Sequence, residues 1–199
     1  MANVFIFAAA LLCLATSAQA QPKPLSLPVI GQTVQVDFVF DNAVRKTRDL
    51  PTAALRAARR KMNSGTQLST KQLQSLADAG DGLAAYRFAK LLEERDVPDP
   101  TGVAAHYFAI AAYTGRAFAV PPLARLLKAE GADYGTSRLK HSLNAMTVQA
   151  LSGNGAAASL LGQMYADGSP FGYDLAKAES YLTMTKNGGS PKAILQLVD

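Results

Sequence analysis

Apolar and small residues recur along this chain at helical spacing, and they recur in units. Ala84, Ala119, Ala157 and Ala193 stand 35, 38 and 36 residues apart. Four positions after each comes Phe88, Leu123, Leu161 or Leu197, and one further comes Ala89, Ala124, Gly162 or Val198. Leu91, Leu126 and Met164 share a further column, and Leu92, Leu127 and Tyr165 another. A period of this length, with a four-residue apolar step inside each unit, predicts stacked helix pairs.

Start and stop signals divide the chain into those pairs. Pro51 suits a first helical position, and Ala54, Leu55, Ala58 and Met62 form an apolar stripe opposite Arg56, Arg59 and Arg60, closed by Asn63-Ser64-Gly65. Ser69 and Gln72 have capping-box spacing ahead of Leu73, Leu76 and Ala77, with Gly80 as terminator. This degenerate leading pair is expected to cap the stack. The second pair is expected over 82–94 and 99–114, with Asp99 as N-cap and Gly115 as stop. The third covers 120–130 and 136–152, where Pro121-Pro122 should delay the first helix. The fourth covers 154–166 and 174–186, and Ser190-Pro191 opens one more short helix.

Ahead of the helices the pattern differs. Pro22, Pro24, Pro28 and Gly31 exclude a helix over 21–33. From Thr33 to Asp41, Val34, Val36, Phe38 and Phe40 alternate with polar positions, the one strand-like stretch of the chain. A single strand needs another edge or surface, which either the first helices or a partner would supply.

The landmarks Ala157, Leu161-Gly162-Gln163-Met164-Tyr165, Gly168, Asp174, Lys177-Ala178, Tyr181 and Gly188 carry a resemblance to the Sel-one-like repeat, a tetratricopeptide-like helix pair. The unit from Ala84 is looser, with Ala89 for the small Gly and Leu92 for the Tyr, while Asp99, Ala104, Tyr107 and Gly115 keep the second-helix pattern. The unit from Ala119 is the poorest match. The expected fold is therefore all-α: a right-handed α-solenoid of stacked antiparallel helix pairs, about three to four repeats over 51–199, behind an extended basic arm at 21–50. The family consists mostly of interaction scaffolds, so the resemblance implies binding rather than catalysis.

Composition adds a compartment. The first twenty residues carry no charge, run apolar from Val4 to Ala15 and end in Ala18-Gln19-Ala20, the form of a secretory signal cut after Ala20. Such a run is too short to span a bilayer, which takes about 20 residues. The chain's one cysteine, Cys13, lies inside this segment. The mature chain then has no thiol for a disulfide, a nucleophile or a metal. The expected location is the periplasm or outside the cell, with no transmembrane span after cleavage.

The net charge of +5 is uneven. Residues 21–66 hold eight Lys or Arg against three Asp, whereas 67–199 hold twelve of each sign. The surplus gathers at Arg45, Lys46, Arg48, Arg56, Arg59, Arg60 and Lys61. A cluster of this kind attracts acidic proteins, anionic headgroups or polyanionic glycans. Nucleic acid is not expected, because no aromatic residues are interleaved with the charges.

Candidate chemistry is sparse. Gly80-Asp81-Gly82 and Gly153-Asn154-Gly155 look like phosphate loops, but each follows a helix where such a loop must follow a strand. They read as tight turns between closely approaching helices. Ser137 and Lys140 have the S-x-x-K spacing of penicillin-recognising enzymes without the companion motifs. Cysteine-rich bacterial members of the family have been labelled as β-lactamase-like, and here the paired cysteines are absent. His106 and His141 have no further ligand at metal-binding spacing. No catalytic residue, metal site or cofactor is assigned.

What remains is a polar ridge. Two, six and nine places after the anchoring alanines stand Tyr86, Lys90 and Glu93, then Arg125 and Lys128, then Ser159 and Gln163. The sequence thus points to a non-enzymatic exported scaffold. It would bind a protein partner, such as the periplasmic domain of an envelope or signalling complex, through Tyr86, Lys90, Arg125, Lys128, Ser159 and Gln163 on a concave face. The alternative is an anionic glycan or lipid held by Arg56, Arg59, Arg60 and Lys61. A β-lactam or cell-wall hydrolase comes third.

Overall fold

The computed structural model describes residues 43–94, 102–129 and 134–186, together with the backbone of 25–29 and 32–36. Among these residues eight helices follow one another: α1 (Ala53–Asn63), α2 (Thr70–Asp78), α3 (Gly82–Glu93), α4 (Val103–Tyr113), α5 (Val120–Leu127), α6 (Thr136–Leu151), α7 (Gly155–Asp167) and α8 (Leu175–Lys186). Short 3-10 turns at Thr47–Asp49 and Ala117–Ala119 precede α1 and α5. The body is all-α. Consecutive helices pack on one another in a solenoid-like stack of hairpins, as the apolar period predicts.

One piece of backbone chemistry repeats at helix ends, after α1 and at the close of three hairpins. Gly65, Gly80, Gly115 and Gly153 take φ of 83°, 87°, 92° and 93°, the left-handed region that favours glycine. The Gly80 N–H donates to Ala77 and the next N–H, of Asp81, reaches back to Leu76; Gly115 and Gly153 repeat the pattern with Ala112 and Ala150. These bonds satisfy carbonyls that the helix end would otherwise leave open. After Gly80 and Gly153 a polar side chain then starts the next helix. The Asp81 carboxylate accepts from Leu83 and Ala84 at 3.0 and 2.9 Å, and Asn154 accepts from Ala157. The reading of the two Gly-rich motifs as interhelical turns thus describes what they form.

Three expected boundaries differ. Thr52, not Pro51, opens α1, because its hydroxyl accepts from Leu55 and Pro51 precedes the cap. The α4 helix starts at Val103, so Asp99 is not its N-cap; that place belongs to Gly102 at φ 71°, against which the Tyr134 ring packs so closely that a Cβ would lie 2.0 Å from it. Pro121-Pro122 do not delay α5. A 3-10 turn runs directly into Val120 and places both prolines in the first turn, where a missing N–H leaves no bond unmade. The Ser69–Gln72 capping box forms as read.

The stretch expected as a solitary strand has a partner. Gln32–Val36 pairs antiparallel with Leu25–Val29, in the register Leu25 to Val36 and Val29 to Gln32. Pro28 is tolerated because each strand of a two-stranded ribbon is an edge. Residues 37–41 and the helix expected after Ser190-Pro191 lie outside the described residues, as does the signal segment.

The columns form the core. Ala84, Ala119 and Ala157 are wholly buried, and Phe88, Leu123, Leu161, Ala89, Ala124 and Gly162 are buried with them. At Gly162 an added Cβ would meet Leu182 Cγ at 2.7 Å and the Ala178 carbonyl at 3.1 Å, so α7 and α8 touch there through glycine. The third hairpin is the irregular one. The α5 helix has eight residues and lies loosely on α6, while α4 and α6 pack directly together.

Candidate functional site

The ridge residues fall on α3, α5 and α7, the first helices of three successive hairpins, with Lys128 at the C-cap of α5, and most of their charges are paired. Lys90 Nζ lies 3.1 Å from Glu93 Oε2, and the other oxygen of Glu93 binds the Arg125 guanidinium of the next hairpin. Lys128 Nζ stands 3.7 Å from Asp167 Oδ2 on α7. Gln163 Nε2 donates to Ser159 Oγ at 3.4 Å within α7. Three cations against two carboxylates leave this row at +1. Arg125 and Asp167 stay well exposed, with side chains 63% and 64% accessible, so the pairs are surface interactions worth about 0.2–1 kcal/mol each. Tyr86 is different. It is half-buried, edge-on to Phe108 at 5.6 Å and to Phe118 at 4.6 Å, where Phe118 is half exposed.

The basic cluster is not one surface. Arg59 is buried, its Nε 2.7 Å from Asp81 Oδ2 and its Nη2 donating to the Arg45 carbonyl, so it does not belong with the exposed cations. The physical reason is position: it stands four residues after Leu55 and beside Ala58, on the edge of the stripe that faces the core. Arg56 is half-buried and donates to the Leu50 carbonyl at 2.7 Å. Arg60 and Lys61 are exposed, as are Arg45, Lys46 and Arg48.

His106 on α4 and His141 on α6 are brought together, with ring centroids 6.1 Å apart. Burial lowers the pKa of both; His141 and Arg138 lower His106 further while Asp78 opposes, and Lys140 adds to the effect on His141. Beside them Tyr107 donates to Asp78 at 2.6 Å, and burial, followed by that bond, pushes its hydroxyl up to about 12. Tyr181, the counterpart of Tyr107 two repeats on, meets Thr147 of α6 at 3.2 Å and is likewise raised to about 12 by burial. Both phenols therefore stay protonated and tie second helices to one another. Among the described residues no group of three or more His, Cys, Asp or Glu side chains could hold a metal. Ser137 and Lys140 both face solvent on α6.

One feature carried no periodic signal. A cleft of about 640 Å³ opens where α4 and α6 end and α7 begins, lined by Arg45, Thr114, Gln149, Ser152 and Asn154 among others. Four of its polar side chains are engaged at those helix ends. Gln149 donates to the Ala112 carbonyl at 2.6 Å, Asn154 donates to Gln149, Thr114 to the Ile110 and Ala111 carbonyls, and Ser152 to Val148. Only the positions next to helix-ending glycines hint at it in the sequence, and those recur in every unit.

Among the described residues no helix is long and apolar enough to cross a membrane. Neither a family model nor a curated protein matches this chain.

Proposed function

We propose that this protein is a non-enzymatic binding scaffold, kin to the Sel-one-like repeats and exported by its first twenty residues, that holds a protein partner along α3, α5 and α7. The observation that carries this reading is the row of linked charges through Lys90, Glu93, Arg125, Lys128 and Asp167, built from three successive hairpins and exposed at every member except the half-buried Glu93. A surface assembled one contact per repeat suits an extended segment or a domain edge. Its charges would steer the encounter and set register more than supply affinity.

The test uses the bacterial envelope as the source of partner and a photo-crosslinker at Gln163. Specific adducts are expected with the natural chain and lost with Glu93→Arg/Arg125→Glu, which keeps the internal ion pair but reverses its polarity on the surface. Adducts that form equally with the reversed pair, or that form only from a crosslinker at Glu179 on α8, overturn the assignment of this face.

A further inference from the structure

The cleft at the ends of α4 and α6 holds one charged side chain that nothing answers. Arg45 borders it, and no acid lines it. The backbone around this residue is pinned on both sides, because the Val44 N–H donates to the Gly80 carbonyl at 3.1 Å and the Arg45 carbonyl accepts from Arg59. The Arg45 guanidinium itself is exposed and makes no ion pair or hydrogen bond among the described residues. Five N–H donors are thus carried to one place without an acceptor.

The inner walls are set before any ligand arrives. Gln149 is buried, only 4% accessible; its amide nitrogen donates to the Ala112 carbonyl at 2.6 Å and its oxygen accepts from Asn154 at 3.3 Å, while the Asn154 oxygen caps α7. Each amide therefore keeps one N–H to give. The Ser152 hydroxyl donates its single hydrogen to the Val148 carbonyl at 2.7 Å and keeps only lone pairs. Tyr113, Ala117 and Val148 supply apolar surface.

These groups select the chemistry of an occupant. A full positive charge with no acid beside it favours an anion, and a planar fork of donors favours a carboxylate. Both α4 and α6 end here and only α7 begins, so the helix dipoles leave partial negative charge inside. The anionic group is thereby kept at Arg45, and what reaches inward is neutral. Two amide N–H groups and a hydroxyl oxygen are met together by groups that both accept and donate, as ligand hydroxyls do. The volume of about 640 Å³ lies within the span of small-ligand sites, about 300–1,000 Å³. We propose that the cleft binds a sugar acid, its carboxylate on Arg45 and its ring hydroxyls on Gln149, Asn154 and Ser152. This site shares no residue with the row on α3, α5 and α7 or with Arg60 and Lys61, so its test stands apart from that of the partner face.

Glucuronate titrated into the natural chain, followed by calorimetry and by amide chemical shifts, provides that test. Saturable binding is expected, with shifts centred on Gly115, Gly153 and Asn154. Arg45→Gln keeps the carbonyl that Arg59 uses and should weaken binding about tenfold or more, the loss of a charge-assisted contact. Ser152→Ala should weaken it less, and glucose, which lacks the carboxylate, should bind no better than glucuronate binds Arg45→Gln. A tetramer of the same sugar acid that binds more tightly than the monomer places a polysaccharide end in the cleft, and equal affinity places a free sugar acid there; both support the proposal. No saturable binding of monomer or tetramer at millimolar concentration, shifts confined to other residues, affinity unchanged by Arg45→Gln, or succinate binding as tightly as glucuronate overturns it.

Discussion

Arg59 of α1 places its Nε 2.7 Å from Asp81 Oδ2, and the second oxygen of that carboxylate caps α3. One acid therefore starts a helix and fastens the leading hairpin to the next. Both side chains are nearly inaccessible, and the contact is electrostatic rather than an aligned hydrogen bond, since neither Nε nor Oδ2 has a hydrogen-bond partner. Removing one member leaves a buried charge alone, which costs about 3–5 kcal/mol.

Arg59→Ala should accordingly lower the urea midpoint far more than Arg60→Ala, whose side chain is exposed. Arg59→Met/Asp81→Asn should recover most of the loss, because the amide retains a capping oxygen and no charge stays buried. A double variant as unstable as Arg59→Ala would assign the effect to packing instead. Chemical denaturation of the three variants decides it.

Gly82 and Gly155 hold the same place at the start of α3 and α7, yet alanine should act on them with opposite sign. At Gly82 a Cβ would lie 1.7 Å from Thr114 Oγ1, whose hydroxyl is bound to the Ile110 and Ala111 carbonyls. At Gly155 the nearest described atom is Thr185 Cγ2 at 3.7 Å, an ordinary contact. Gly82→Ala is expected to destabilise by about 1–3 kcal/mol through overpacking. Gly155→Ala should stabilise by about 0.5 kcal/mol, because alanine has less backbone freedom to lose. Thermal midpoints of the two variants read out the difference.

Much of this architecture was legible in the chain. The period of Ala84, Ala119 and Ala157 marked buried joints, and Ser69 with Gln72 gave a helix start, because both are local or repeating signals. Arg59 was not legible. It looked like one more surface cation, and its acid stands 22 residues on with no periodic relation to it. Asp99 met the rule for a cap, but α4 begins after Gly102, which lies under the Tyr134 ring in a contact that spans 32 residues. The ridge positions could be placed on successive first helices, while the sharing of Glu93 between Lys90 and Arg125 needed coordinates.

The histidine pair gives a pH dependence with a definite sign. Folding lowers both pKa values below 6.5, so the unfolded chain binds more protons once pH falls into that range. Stability should be full above pH 6.5 and fall as pH drops through the lowered native values. His106→Gln/His141→Gln should flatten the dependence there. Asp174, also lowered, chiefly by its bond from the Lys177 backbone N–H, titrates below 3.8 and leaves that window untouched. Denaturation midpoints between pH 7.5 and 5 that match in both proteins would remove the histidines as the cause.

Glu93 is contacted by both Lys90 and Arg125. Glu93→Gln should change folding stability by less than about 1 kcal/mol, since both cations stay in solvent and the amide of the half-buried side chain keeps an acceptor oxygen for them. It should raise the association rate of an acidic partner at low salt, and that gain should vanish as ionic strength rises. Stopped-flow binding at two salt concentrations provides the measurement.

The turn at Gly80 returns, bond for bond, at Gly115 and Gly153, which makes each of these glycines a seam where one module ends and another begins. A duplicated stretch cut at two seams carries its own turn and its own buried alanine, so it can be spliced into the array without stranding a donor or a cavity. The reach of such an array can therefore change by whole modules, gained or lost between the seams.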